Sequence, residues 1–213
     1  MAKKKTDTRM RILEATWRLL EQHRGQGVQM RDIAEAVGIS RQALYLHFPS
    51  RAELMIATIH YVDEVKELHE RLNQLKVATT GIALLEASVD VWGNYIPEIY
   101  GLAKALLSTR DKDEATAAAW NDSMSCLRDV CREIVEALER ERSLASGLSR
   151  DNAIDMLWTM LSIHNWEQLT IDCGWSTPQY ITWMKTLLTR SFVEDTAMEN
   201  QESPEDSGLP RER

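Results

Sequence analysis

Apolar residues recur at helical spacing along most of this chain. Ile154, Leu157, Trp158 and Leu161 fall at i, i+3, i+4 and i+7, and Ile181, Met184, Leu188 and Phe192 trace a similar stripe, so both runs predict amphipathic helices. Read the same way, the whole sequence predicts helices at about 7–24, 30–37, 41–47, 51–76, 81–96, 98–109, 112–142, 150–172 and 177–196. Asp111 and Ser149 suit helix starts, and Gly147 and Gly174 suit helix ends. Sustained apolar/polar alternation is missing, as are the Asn-Gly and Asp-Gly turns that mark hairpins. The expected fold class is all-α, with about nine helices.

Residues 30–49, MRDIAEAVGISRQALYLHFP, carry a more specific pattern of helix, sharp turn and helix. Ala34 is small enough for two helices to cross closely, Gly38 suits the left-handed residue that ends the first, and Ile39 turns back toward the core. Ser40 is placed to cap the second helix, and Ile33, Val37 and Leu44 supply the contacts between the pair. Arg41, Gln42, Ala43, Tyr45 and His47 are left to face outward. This is a helix-turn-helix, whose second helix fits the major groove of DNA.

The outward set divides by chemistry. Gln42 suits paired hydrogen bonds to adenine, and Ala43 suits apolar contact with a thymine methyl. Arg41, Tyr45, His47 and Arg51 suit phosphate oxygens, which fix register without reading sequence. Lys3, Lys4 and Lys5 form a short flexible cationic arm at the start, with Lys4 and Lys5 suited to following a DNA groove or adding non-specific attraction; the alternative is a solvated terminus.

Charge sharpens this picture. The chain of 213 residues carries a net −8, which alone argues against a polyanionic partner. Residues 1–55, however, hold ten Lys/Arg against six acids, a net +4, which leaves −12 on the remaining 158 residues. A small basic module on a larger acidic body is expected when one end meets phosphate and the rest stays off it. From about Glu194 the sequence turns acidic with little to bury, which predicts a disordered tail.

Other classes fall away on composition. The three cysteines, Cys126, Cys131 and Cys173, are odd in number and lie in helical sequence, which favours reduced thiols. No stretch reaches the roughly 20 apolar residues of a membrane span, and the start is charged, so a cytoplasmic place without membrane partners is expected. The HExxH, GxSxG, GxGxxG, CxxC and Walker patterns are absent, and His69-Glu70 meets Asn73 where a zinc helix needs its second His. The reading is non-enzymatic, with no metal and no cofactor.

The run from Arg11 to Ile59, and above all GISRQALYLHFPSRAEL, closely resembles the DNA-binding region of TetR-family transcriptional regulators. Gly38, Ser40, Leu44, Tyr45, His47, Phe48, Ser50 and Leu54 occupy the family's pattern. Two departures stand out: Gln29 replaces the Thr or Ser usual before the first helix of the motif, and the loop from Gly25 to Met30 is one residue shorter.

The resemblance implies a DNA-binding domain at 1–50, an effector-binding and dimerisation domain at 51–196 and a tail at 197–213. It implies a homodimer, paired through the last two long helices, on a two-fold double-stranded operator; Leu157, Leu161, Ile181, Met184 and Leu188 are the interface candidates. It also implies a small-molecule effector whose binding releases a repressor from DNA. Trp92, Tyr95, Tyr100, Trp120, Trp158 and His164 are the pocket candidates, and their rings suit an apolar, aromatic or cationic ligand. The alternative is a helix-turn-helix factor that organises DNA or docks on a protein and senses no small molecule.

Overall fold

A computed structural model describes residues 2–23, 27–112 and 114–194, without the side chains of residues 2–6, 112, 115 and 119. The fold is all-α. Its helices are α1 (Ala2–Gln22), α2 (Met30–Val37), α3 (Arg41–His47), α4 (Arg51–Val65), α5 (Leu68–Gln74), α6 (Gly81–Thr109), α7 (Glu114–Arg140), α8 (Arg150–Met160), α9 (Ile163–Glu167) and α10 (Thr177–Phe192). A π-helical turn, Gln168–Asp172, follows α9. Among the described residues the only β pairing is a single antiparallel bridge between Leu144 and Val193. The expected acidic tail and Gly25 lie outside the described residues.

The described residues form two compact units, one within residues 1–74 and 94–127, the other within 75–93 and 128–194. In the first, Ile12 and Leu20 of α1, Ile33 of α2, Leu44 of α3, and Leu54 and Met55 of α4 form a core that is at most 1% exposed. Two hydroxyls buried there are satisfied locally, Thr16 donating to the Ile12 carbonyl and Thr58 to that of Leu54. In the second unit the core is built from Leu85 and Val89 of α6, Ile134, Val135 and Leu138 of α7, and Leu157, Tyr180, Leu188 and Phe192 from the last helices. The α6 start lies in this unit, where the Glu141 carboxylate accepts from Gly81 N–H at 2.9 and 3.0 Å, a negative charge on a positive helix end.

Serine caps explain several helix starts. Ser40, Ser50, Ser149, Ser162 and Ser176 each accept a hydrogen bond from the backbone N–H three residues on. Ser162 also accounts for a departure from the expected helix at 150–172. It starts α9 just after α8 ends, while the Asn165 amide reaches back to the Thr159 and Met160 carbonyls that the break exposes.

The expected helix at 51–76 is likewise two helices, separated at Glu67 with φ of 53°, a left-handed residue with no glycine to signal it. The reverse holds at Pro97. A break was expected there, yet α6 runs through it, and Gly101 N–H, one turn on, donates to the Glu21 carboxylate of α1 at 3.1 and 3.2 Å. At the amino end, α1 starts at Ala2, so Lys3, Lys4 and Lys5 join its first turns and not a flexible arm. Ala and Lys are strong helix formers, which accounts for this.

The interface candidates of the last helices lie inside the chain itself: Leu157 (0% exposed), Leu161 (1%), Met184 (4%) and Leu188 (0%) are core residues, and Ile181 is half-buried. A Cβ added at Gly93 would lie 2.5 Å from Ile181 Cγ1, so that side chain also packs inward. The apolar groups that α8 and α10 leave exposed are Met156 (45%), Trp183 (55%) and Leu187 (47%). Periodicity finds an apolar face but does not say which of two faces turns inward.

Candidate nucleic-acid interface

The helix-turn-helix is shaped by a few local interactions. Gly38 takes φ of 74° at the end of α2, and Ile39 N–H donates to the Ala34 carbonyl at 3.0 Å, closing the helix with the left-handed turn its sequence suggests. Ile33, Ala34, Val37 and Leu44 are buried at 5% or less, which fixes the crossing of α2 and α3. Ile39 is half-buried, and Ser40 Oγ accepts from Ala43 N–H at 3.1 Å.

Two arginines of α1 secure the pair from behind. Arg9 donates to the His47 carbonyl at 2.9 Å with its guanidinium 4.1 Å above the Phe48 ring, and Arg11 donates to the Val37 carbonyl at 2.8 Å. Each places a cation at a helix carboxyl end, where the backbone dipole favours it. These roles were not foreseen in the sequence, because each partner lies 26 or more residues away.

With Leu44 buried, Arg41, Gln42, Tyr45 and Leu46 of α3 are exposed, whereas Ala43 and His47 are half-buried on the flank. Ala43 and His47 were expected among the outward set, and they face outward less than the other three. Leu46 was not foreseen and is 77% exposed. The side chains of Lys4 and Lys5 lie outside the described residues.

Beside α3 lies a pocket of about 280 Å³ lined by Val28, Gln29, Met30, Arg31, Arg41, Tyr45 and Arg51. It joins three guanidinium groups, a phenol and the amino end of α2, a set of donors and positive charge suited to an anionic oxygen. The Arg41 guanidinium lies 5.7 Å from the Tyr45 ring centroid. Arg51 donates to the Val28 carbonyl at 2.9 Å, so it braces the approach to α2 as well as lining the pocket, and burial lowers its pKa. Such a group remains cationic at any physiological pH. Arg31, also not foreseen, is 74% exposed at its side chain and only loosely paired with Asp32 at 3.5 Å. Gln29 keeps the capping position, where Asp32 reaches back to accept from its N–H at 2.8 Å.

The aromatic candidates are distributed between the two units. Tyr95, Tyr100 and Trp120 are buried in the first, where the Tyr95 hydroxyl donates to the Asp63 carboxylate. Burial raises the pKa of both groups. Arg71, 5.6 Å over the Tyr95 ring, and Lys66 pair with Glu98 at 3.0 and 2.8 Å; burial alone would raise the Glu98 carboxyl, but these cations hold it below the ordinary range.

In the second unit the Trp92 indole donates to the Leu161 carbonyl, and Trp158 has the Arg128 guanidinium 5.3 Å over its ring. His164, expected to line a pocket, is exposed, because the break before α9 interrupts the apolar face on which it was placed. The three cysteines are free thiols, and burial pushes the Cys131 thiol up to about 12. Among the described residues there is no cluster of metal-ligating side chains, and no helix is long and apolar enough to cross a membrane.

Comparison with known proteins agrees with this geometry. Residues 12–58 match the profile of bacterial regulatory proteins of the tetR family. The nucleoid occlusion factor SlmA of Alteromonas mediterranea is 31% identical over 159 residues, covering 72% of this chain and 78% of that protein. The HTH-type transcriptional regulator CymR of Pseudomonas putida is 24% identical over 76% of this chain and 77% of its own length. Among solved structures, a putative transcriptional regulator from Saccharomonospora viridis in complex with choline superposes with a TM-score of 0.76 at 16% identity, covering 89% of this chain and 99% of that one. With the motif, the all-α fold and a relative of this identity over most of both lengths in agreement, the chain belongs to the TetR family of bacterial regulatory proteins and is a DNA-binding regulator.

Proposed function

We propose that the protein is a homodimeric transcriptional repressor that reads a two-fold operator through α3 and is released by a small apolar or cationic ligand. Residues 1–50 read DNA, and residues 51–196 bind the effector and dimerise. The observation that carries the DNA reading is the pocket of Arg31, Arg41, Arg51 and Tyr45 beside an exposed Gln42. Phosphate contacts there set the register while Gln42 meets base edges.

Tyr45→Ala is therefore expected to weaken binding to all duplexes alike. Gln42→Ala is expected to change the preference among bases by about 1–3 kcal/mol at one position of each half-site. Binding selections from random double-stranded DNA measure both, and an unchanged preference for Gln42→Ala would refute its base-reading role.

Dimerisation is supported by Met156, Trp183 and Leu187, apolar groups that α8 and α10 leave to solvent, the last two one turn apart on α10. Trp183→Glu is expected to raise the dimer dissociation constant about 30-fold or more, the scale of an aromatic anchor. Sedimentation equilibrium reads that change directly, and a variant as dimeric as the parent would place the interface elsewhere.

The effector half of the proposal is supported by the choline complex of the structural neighbour. A second reading, a factor that occupies DNA and answers to no small molecule, is favoured by the relative named as a nucleoid occlusion factor. In this chain Tyr95 and Trp92 already use their polar atoms within the protein, which also suits that reading. Screening compounds for release of the selected operator separates the two. A compound that weakens binding tenfold corresponds to a coupling of about 1.4 kcal/mol and supports the repressor. If chromosome-wide occupancy shows many dispersed sites and no compound releases them, the second reading holds.

A further inference from the structure

Leu46 is 77% exposed on a short helix whose other leucine, Leu44, is fully buried. At 3.6 residues per turn, residues 42 and 46 lie about 40° apart on α3, each about 160° from residue 44. Gln42 and Leu46 thus form the outermost ridge of the helix, while Arg41 and Tyr45 lie to one side with the cationic pocket and the half-buried Ala43 and His47 to the other. An isobutyl group on that ridge lacks any donor or acceptor. It cannot hold a phosphate, and it cannot pair with a base heteroatom.

We infer that Leu46 is a base-reading residue that seats on a thymine C5-methyl in the major groove, beside the base pair met by Gln42. The inference rests on the proposal that α3 enters DNA, and it adds a second specificity determinant. The thymine methyl is the one apolar feature the bases present in that groove. Charge decides between DNA and an apolar protein partner. The same helix carries Arg41, the adjoining pocket adds Arg31 and Arg51, and Arg9 sits at the helix carboxyl end, so the surroundings attract a polyanion. Four residues of helix advance about 6 Å, so the methyl belongs to a base one or two steps from the one Gln42 reads.

The test uses the full chain and the DNA sequences it selects from a random duplex pool. Each thymine of the selected site is then replaced by deoxyuridine, which removes only the methyl. The parent protein is expected to lose about fourfold in affinity per half-site at one such position, the effect of one buried methyl group. Leu46→Ala is expected to bind the parent site more weakly and to become indifferent to uracil there, while its response at the Gln42 position stays as in the parent.

Leu46 is exposed, and alanine favours helix, so the variant keeps the fold; a thermal melt checks this. Leu46→Ala with an undiminished uracil penalty, or with unaltered DNA binding as a protein-docking role would give, overturns the inference while the DNA-reading proposal stands. A parent protein that selects no sequence at all overturns both.

Discussion

Gly101→Ala is expected to destabilise the protein by about 2 kcal/mol and to lower its melting temperature by roughly 4–8 °C. A Cβ built on Gly101 would lie 2.4 Å from the Leu20 carbonyl oxygen, 2.6 Å from Glu21 Cα and 2.7 Å from Glu21 N. All three are backbone atoms of α1, so no side chain can rotate away, and the two helices have to separate. Overpacking of this kind costs about 1–3 kcal/mol and occasionally more. The gain in helix propensity from Gly to Ala, about 1 kcal/mol, offsets only part of a cost at the upper end.

Separation also lengthens the contact between the Glu21 carboxylate and Gly101 N–H, a group already desolvated enough that its pKa is raised despite the backbone N–H donors of Gly101 and Leu102. Urea or thermal denaturation followed by circular dichroism checks the effect. Gly147→Ala is a useful contrast, because a Cβ there meets nothing within 4 Å and only its positive φ of 91° opposes the change. A Gly101→Ala variant as stable as the parent would mean that α1 does not press on α6 so closely.

The same contact marks the limit of what sequence alone reveals. The helix-turn-helix was legible because its determinants are local: Gly38 ends α2, Ser40 caps α3, and Ile33, Val37 and Leu44 meet within a span of twelve residues. Pro97 was misread because a proline normally breaks a helix by removing a donor and crowding the preceding turn. In the folded protein α6 nevertheless runs through Pro97, and one turn on it is tied to α1, where Gly101 N–H donates to the carboxylate of Glu21, 80 residues away in sequence. The division between α4 and α5 carried no signal either, since Glu67 adopts a left-handed conformation that neither glycine nor asparagine announces.

In the site, outward-facing polar residues were recognisable from the burial of Leu44. Leu46 carries no such mark, because an apolar residue within a motif resembles core and only its place opposite Leu44 around the helix sets it outside. Arg31 is unmarked for a different reason. It precedes the turn, and only the fold brings it beside Arg41, Tyr45 and Arg51. That gathering also determines how binding should respond to salt.

Operator affinity should fall about 1,000-fold between 50 and 200 mM salt. The chain presents Arg31, Arg41 and Arg51 around one pocket, so the proposed dimer would bring about six cations to the DNA backbone. Each neutralised phosphate releases condensed counterions and adds about −0.9 to the slope of log affinity against log salt, giving a slope near −5 for six. Arg31→Ala removes one cation per protomer, and the slope should become shallower by about 2, equally for operator and unrelated duplex. Its loose pairing with Asp32 leaves little structural cost, whereas loss of Arg51 would also free the Val28 carbonyl. Arg128 is the matched control in the other unit. It is already paired with Asp155 and stacked over Trp158, so Arg128→Ala should leave the slope unchanged. Fluorescence anisotropy across a salt series reads both slopes. If removing Arg31 leaves the slope at the parent value, Arg31 neutralises no phosphate, and the register of the helix in the groove must be set by other groups.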